Sequence, residues 1–458
     1  MNKQMNVILA LIPIIGLMTA ASLSVFVWDA GMHLPLMIGV ILAASVTYLC
    51  GFSWEDIQQM MVKGVSRALP SIFILLIIGM IVGSWIASGV IPTIIYYGLS
   101  FIKPEIFIPL VALITGIVSI TLGSSFVSIA TVGIAFMAIG EGLGFQGGII
   151  AGAVISGAFF GDKLSPLSDT TNIAPAMAET DLFIHIRHML WDTIPAFIIA
   201  LIIYGIISLN SANSQSIGTN EIDSIQTGLN NLFTIHPLLL LLPILTILLM
   251  IRKTPAIPTL IFITFLGASM AVIVQGEGVS SIMRAMTEGF TRQSGIDSVD
   301  ALLNAGGLMS MLSTIGLLII ATALGGILEE SGSFELLTKR ILARIKSTGS
   351  LISTTIFSTL GVAFTTGEQM ISIILPARSF VNKYEEMGID TKNLSRCVEA
   401  AGTVGINLVP WGVTAVYASS MLGVSPLDFI PFSFFIILVP IINLIFGYTG
   451  WTISKKEG

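Results

Sequence analysis

Gly161-Asp162-Lys163-Leu164-Ser165-Pro166-Leu167-Ser168-Asp169-Thr170-Thr171-Asn172 is the densest polar run in an otherwise apolar setting. Apolar residues at 148–160 and 173–178 hold it near membrane depth, which speaks against a cytoplasmic loop that merely follows a helix. An ionised carboxylate at the centre of a spanning helix costs about 2.5–3.5 kcal/mol on insertion scales. Two aspartates within eight residues therefore need partners. Pro166 removes a backbone donor and breaks the helix, which frees carbonyls. Those carbonyls, with Asp162, Ser168, Asp169, Thr170, Thr171 and Asn172, make a hard-oxygen site of the kind that suits small hard cations.

The surrounding chain has the composition of a membrane protein. Of its 458 residues 10% are charged and 54% hydrophobic, with a mean hydropathy of +0.95. Soluble proteins carry about 25% charged residues. A soluble globular protein and a disordered chain are thereby excluded. The net charge of −6 argues against a nucleic-acid partner, and the two cysteines, Cys50 and Cys397, cannot form a disulfide scaffold. Long continuous apolar runs, without alternation, exclude an outer-membrane barrel. The run Val7 to Val27 ends at Trp28-Asp29 without a cleavage pattern and reads as the first spanning helix.

Further apolar spans fall near 34–51, 70–88, 193–209, 236–251, 256–275, 306–328 and 429–450. Two pairs of short segments lie at about 107–140, broken at Gly123-Ser124-Ser125, and about 350–382, broken at Thr365-Thr366-Gly367-Glu368. At 1.5 Å per residue each short segment reaches only about 21–24 Å, less than the roughly 30 Å bilayer core. They read as re-entrant hairpins, whose tips must line a polar cavity inside protein. Two interrupted segments, about 148–178 and 397–424, read as broken helices. The amphipathic stretches 53–68 and 334–346 read as interfacial connectors.

The two halves match at a constant offset. Gly123, Ser128, Glu141, Gly161, Pro166 and Thr170 recur as Gly367, Ser372, Glu385, Gly405, Pro410 and Thr414, each 244 residues later. Met61, Gly64 and Arg67 recur as Met286, Gly289 and Arg292 at an offset of 225, so about 19 residues are inserted near 293–312. The expected fold is an all-α polytopic membrane protein of two repeats, 1–209 and 236–458, joined by an extracytoplasmic linker, 210–235. Each repeat has five crossings and one hairpin. Five is odd, so the second repeat must be inverted, and the broken helices meet at mid-membrane, which is the signature of secondary transporters.

The second broken helix, Gly405 to Thr414, has Ile406 and Val413 where the first has Asp162 and Asp169. One asymmetric cation site is therefore expected, with Thr366, Glu368 and Asn407 lining the same cavity. Glu368 also suits the N-terminus of the helix that follows it. Lys163 is expected to pair with Asp162 or Asp169, or to snorkel, and Glu399 to form an interfacial pair with Arg396. His185 and His188 fit an interfacial helix face better than a pH sensor.

The stretch from Gly161 through Ile173-Ala-Pro-Ala-Met-Ala, continuing to Thr180-Asp-Leu-Phe-Ile-His-Ile-Arg-His-Met, resembles the signature of the NhaC-type sodium/proton antiporter family. The similarity extends over essentially the whole chain. It implies a bacterial cytoplasmic-membrane transporter that exports Na⁺ against H⁺, with inverted repeats, hairpins and an elevator-type movement. Some members of the group instead exchange malate and protons for lactate and sodium, and the signature does not separate the two. The organic-acid alternative needs an anion cradle at the hairpin tips, with Arg378 or Lys163 as counter-charge.

A carboxylate that is ionised to hold Na⁺ must take a proton when Na⁺ leaves. Asp169 is the first choice for this shared sodium and proton site and Asp162 the second. No HExxH or HxxEH pattern occurs, nor GxSxG with a partnered histidine, so no enzyme and no cofactor are expected. The partners expected are the lipid bilayer, Na⁺ and H⁺, with a small organic acid in the alternative. A homodimer is also allowed.

Positive charge orients the chain. With both termini cytoplasmic, Lys63, Arg67, Arg187, Arg252, Lys253, Lys383, Lys392, Arg396, Lys455 and Lys456 fall inside, as do four cations between 339 and 346. The stretch 210–235 contains no Lys or Arg, and only Lys103, Arg284 and Arg292 fall outside. A cysteine placed at Ser214 should therefore react with an impermeant maleimide in intact cells. Reaction only after permeabilisation would reverse the orientation.

Overall fold

The computed structural model describes residues 5–456 except 29–30, 102, 167, 215–218, 253, 293–298, 301–302, 305, 334–335 and 337–344. Among the described residues every regular element is helical, apart from an isolated bridge between Ile389 and Lys455. The first half contains α1 (Val7–Phe26), α2 (His33–Leu49), α3 (Trp54–Ala87), α4 (Val90–Phe101) and α5 (Pro104–Leu122). It continues with α6 (Ser125–Ser128), a π turn (Ile129–Gly133), α7 (Ile134–Gly142), α8 (Gly147–Leu164), α9 (Asp169–Met177) and α10 (Leu182–Ser214). Then come α11 (Thr219–Leu232), α12 (Leu241–Ile251), α13 (Ala256–Gln275), α14 (Val279–Glu288) and α15 (Leu312–Glu330). The last part holds α16 (Thr348–Thr366), α17 (Gln369–Glu386), α18 (Lys392–Val398), α19 (Val413–Leu422), α20 (Pro426–Phe429) and α21 (Phe434–Thr449). Between α18 and α19 lie a second π turn (Glu399–Val404) and a 3-10 turn (Gly405–Leu408).

Among the described residues five stretches are long and apolar enough to cross a membrane alone: Val7–Ser24, Gly147–Leu164, Leu182–Asn210, Ile257–Gln275 and Leu308–Glu330. Three bent helix pairs among the same residues meet the test together. Burial divides these stretches by position. Most of the window Gly147–Leu164 is buried (83%), which puts α8 at the centre, whereas Leu182–Asn210 is 39% buried. α10 turns Phe183, Trp191, Ile198, Ile202 and Ile206 outward, a face suited to lipid and not to water. The chain is a polytopic α-helical membrane protein.

Element boundaries follow the sequence offset. α5 and α16 begin and end 244 residues apart (348 − 104 and 366 − 122). Each terminates on a left-handed glycine, Gly123 or Gly367. Each is followed by a capping side chain, Ser124 or Glu368, that starts the return helix. The breaks at 165–168 and 409–412 are 244 residues apart as well. α3 is a single 34-residue helix opened by a Ser53–Asp56 capping box. Its counterpart is split into α14 and α15, with the inserted residues between them.

One expectation changes. The stretch 53–68 is the first part of α3, not a separate interfacial connector, because the helix continues unbroken into the apolar run. The linker 210–235 is largely helical: α10 runs on to Ser214, and α11 buries Ile225, Leu229 and then Phe233 at four-residue spacing. The stretch 334–346 lies for the most part outside the described residues.

The halves interlock. α9 packs on α17 of the second hairpin, and α19 packs on the first hairpin around its π turn. Outside this core α3 crosses α15 at very short range. A Cβ on Gly64 would stand 2.1 Å from the Thr322 carbonyl oxygen, and one on Gly326 2.3 Å from that of Met60. Gly64→Leu should force the two helices apart and destabilise the purified protein by about 1–3 kcal/mol, seen as a lower thermal midpoint. Gly205→Ala meets open space and should leave the midpoint unchanged or slightly raised.

Candidate functional site

Asp162 owes its place to the residue before it. α8 lies so close on α5 that a Cβ at Gly161 would stand 2.4 Å from the Gly116 carbonyl oxygen. The next side chain is thereby held under the tip of the first hairpin. Asp162 is 5% exposed, and Ser125 Oγ, from that tip, donates to its Oδ2 at 2.7 Å. The Ser125 backbone N–H and the Ser168 hydroxyl also face the carboxylate. Ser168 Oγ lies 3.0 Å from Thr170 Oγ1, and both residues are buried.

The carbonyls released at the break are taken up locally. Thr171 Oγ1 lies 3.1 Å from the carbonyl oxygen of Asp162 and 3.3 Å from that of Lys163. Asn172 Nδ2 donates to Pro166 O at 2.8 Å and to Ser168 O at 2.7 Å. Asn172 thus clasps the break. Asp169, expected to be the desolvated carboxylate, is exposed: it is the first residue of α9, where its charge suits the helix N-terminus. Asp162 holds the buried position in its stead.

Lys163 reaches neither aspartate of its own segment. Its Nζ lies 2.6 Å from Asp192 Oδ2 on α10, both side chains being fully buried. Asn443 Nδ2, from α21, donates to the same oxygen at 2.6 Å. Glu399 is buried too and does not pair with Arg396, which donates to Thr452 Oγ1 at 3.0 Å and lies over the Phe446 ring. His185 and His188 are internal and not on an interfacial face. His185 Nδ1 meets Ser395 Oγ at 2.8 Å, and His188 Nε2 meets Asn393 Oδ1 at 3.2 Å.

In the second half Glu368 caps α17, its Oε2 accepting from the Ile371 N–H at 2.7 Å. Thr366 Oγ1 donates to Val362 O at 2.8 Å and accepts from the Glu368 N–H at 3.2 Å. The tip is pinned to the second break by Val413 N–H donating to Gly367 O at 2.7 Å. Asn407 is fully buried, and its Nδ2 donates to Val404 O at 3.0 Å. Tyr417, on α19, donates to Phe126 O at 2.9 Å and so joins the first tip to the second half.

Two groups of polar side chains result. Ser125, Asp162, Ser168 and Thr170 surround the first break, and Thr170 also faces Glu399. Glu399, Thr403 and Asn407 follow one another along the second broken helix. Among the described residues three buried acids, Asp162, Asp192 and Glu399, stand against two buried cations, Lys163, which Asp192 already neutralises, and Arg396. The surplus charge is negative, which favours cations.

Comparison with known proteins agrees with that chemistry. A sequence model of the Na⁺/H⁺ antiporter family matches residues 3–171 and 157–451. The chain belongs to the Na⁺/H⁺ antiporter family. Within it, the chain is 40% identical over 446 residues to the Na(+)/H(+) antiporter NhaC of Alkalihalophilus pseudofirmus, covering 97% of this chain and 96% of that protein. It is 36% identical over 417 residues to the Na(+)/H(+) antiporter NhaC of Bacillus subtilis, 91% and 92% of the two chains. A third similar protein is the malate-2H(+)/Na(+)-lactate antiporter of Bacillus subtilis, 34% identical over 445 residues, 96% and 94%.

Breaking a buried ion pair from one side costs about 3–5 kcal/mol, because the other charge stays behind. Lys163→Met should therefore lower the thermal midpoint strongly. Lys163→Met combined with Asp192→Asn should be milder than Lys163→Met alone, a coupling that a double-mutant cycle on purified protein measures.

Proposed function

We propose that the protein exchanges Na⁺ for H⁺ across the bacterial cytoplasmic membrane at a site centred on Asp162. One observation carries the reading: Asp162 is a buried carboxylate at a helix break whose partners, among the described residues, are hydroxyl and backbone groups and not a cation. Isolated buried charge is costly, so the position holds either a bound cation or a proton. Competition between the two couples their movements. Ser125 closes the site from the first hairpin tip, and Ser168 and Thr170 supply neutral oxygens.

The halves 1–209 and 236–458 are read as inverted in the membrane, with both termini cytoplasmic and 210–235 outside. The unit formed by the hairpins and broken helices, 106–178 and 349–424, moves against the remaining helices and exposes Asp162 to each side in turn. The resemblance to the malate–lactate antiporter supports a second reading, organic-acid exchange. An organic anion needs a free positive charge in the site. Lys163 is held by Asp192, and Arg378 is exposed on α17 with its Nε 3.3 Å from Met177 Sδ. Cation exchange therefore fits these residues better.

Proteoliposomes loaded with a pH-sensitive dye test both readings. A Na⁺ pulse should drive proton movement without added malate or lactate. Asp162→Asn keeps size and one carbonyl oxygen but can neither carry charge nor take a proton, and should abolish the flux in correctly inserted protein. Asp169→Asn should retain most of it. Proton movement that appears only with malate or lactate, or an unaltered flux from Asp162→Asn, would overturn the proposal.

A further inference from the structure

The second broken helix carries oxygen atoms that the site around Asp162 does not use. Glu399, Thr403 and Asn407 are each fully buried. Among the described residues neither carboxylate oxygen of Glu399 has a hydrogen-bond partner, nor does Thr403 Oγ1 or Asn407 Oδ1. The three residues are four apart in sequence and span the π turn Glu399–Val404 and the 3-10 turn Gly405–Leu408. The wider π turn alters the helical phase and brings the Thr403 hydroxyl toward Glu399, without hydrogen-bond geometry. The Asn407 amide lies over the same turn, with its Nδ2 3.4 Å from Thr403 O. Thr170 of the first break faces Glu399 from the other side.

We propose that Glu399, Thr403 and Asn407 form a second monovalent-cation site, distinct from Asp162, with Na⁺ as its ligand. Stranded buried acceptors are costly one by one. A proton on Glu399 would serve one acceptor and leave the rest unmet. A hard cation takes several oxygens at once, and one carboxylate with neutral side-chain oxygens is a donor set of that type. The ion pairing agrees. Of the two buried cations among the described residues, Lys163 is matched to Asp192 and Arg396 turns to Thr452 and the Phe446 ring, so neither is paired with Asp162 or Glu399. The repeat adds an independent argument: 244 residues before Glu399, Thr403 and Asn407 stand Ile155, Phe159 and Lys163, while Ile406 stands opposite Asp162. Each half carries its carboxylate where the other has an aliphatic residue.

The inference rests on the exchange reading only for the identity of the ion. The test is equilibrium binding of radioactive Na⁺ to purified full-length protein, together with sodium-driven proton flux in proteoliposomes. Glu399→Gln should bind half as much Na⁺ at saturation as the wild type, and Asp162→Asn should lose the other half. The half that each variant retains shows that it is folded. Thr403→Val, which keeps the charge and the side-chain shape, should weaken the Glu399 half by about tenfold through loss of one neutral oxygen. Equal saturation in wild type and Glu399→Gln would overturn the second site. Complete loss of binding in Glu399→Gln with an unchanged thermal midpoint would overturn it as well, by making both carboxylates one site. Both halves of binding without any sodium-driven proton flux from the wild type would remove the exchange reading and leave the second site standing.

Discussion

Backbone that leaves helical geometry inside a bilayer has no water to turn to, so its carbonyls and amides must be satisfied within the protein. Much of the central architecture follows from that constraint. At the first break Asn172 and Thr171 take up the carbonyls that Pro166 releases. At the second, the Gly367 carbonyl accepts from the Val413 N–H and the Phe364 carbonyl from Trp411 Nε1, so the hairpin tip and the break satisfy each other. A tip could not withdraw from its break without stranding these groups. The second hairpin tip and the second break therefore hold together, and Tyr417 ties the first tip to them.

Much of the fold was legible in the sequence because it depends on residues with narrow backbone roles. Gly123 and Gly367 end helices in the left-handed region, and Pro166 and Pro410 stand within the two breaks. Such positions keep their register when side-chain chemistry drifts, which is why the offset of 244 could be read. The helix inside the linker was harder to see for a different reason. Its lack of Lys and Arg is real, but Ile225, Leu229 and Phe233 form a stripe that general polarity obscured. The site was legible only in part. Asp162 and Asp169 are seven residues apart, a spacing that shares a face on a continuous helix, and the intervening break cancels that phase. The partner of Lys163 is 29 residues away and that of His185 is 210 away, so neither could be read from neighbouring residues. Glu399 looked like half of a local ion pair because Arg396 precedes it by one turn; tertiary packing sends the two side chains to different neighbours.

The halves share a frame and divide the chemistry. Where the first broken helix has Asp162 and Lys163, the second has Ile406 and Asn407. The Lys163–Asp192 pair ties α8 to α10 in the first half. The first break carries a fixed internal cation, Lys163, whereas the second break itself is uncharged and the carboxylate of that half, Glu399, comes earlier in the broken helix. The balance of buried charge is thus set by the pair of repeats and not by either repeat alone.

The contact between Tyr417 and Phe126 joins residues 291 positions apart. A ribosome adding about 5–20 residues per second needs roughly 15–60 s to make that stretch of chain. During this interval the first hairpin is already in the membrane with its tip incomplete and α17, the bed for α9, not yet made. The newborn first half must therefore wait in a half-open state, with Asp162 close to whatever water the insertion machinery provides. Assembly is paced by translation as well as by packing, and the central polar site is sealed only when the last third of the polypeptide arrives.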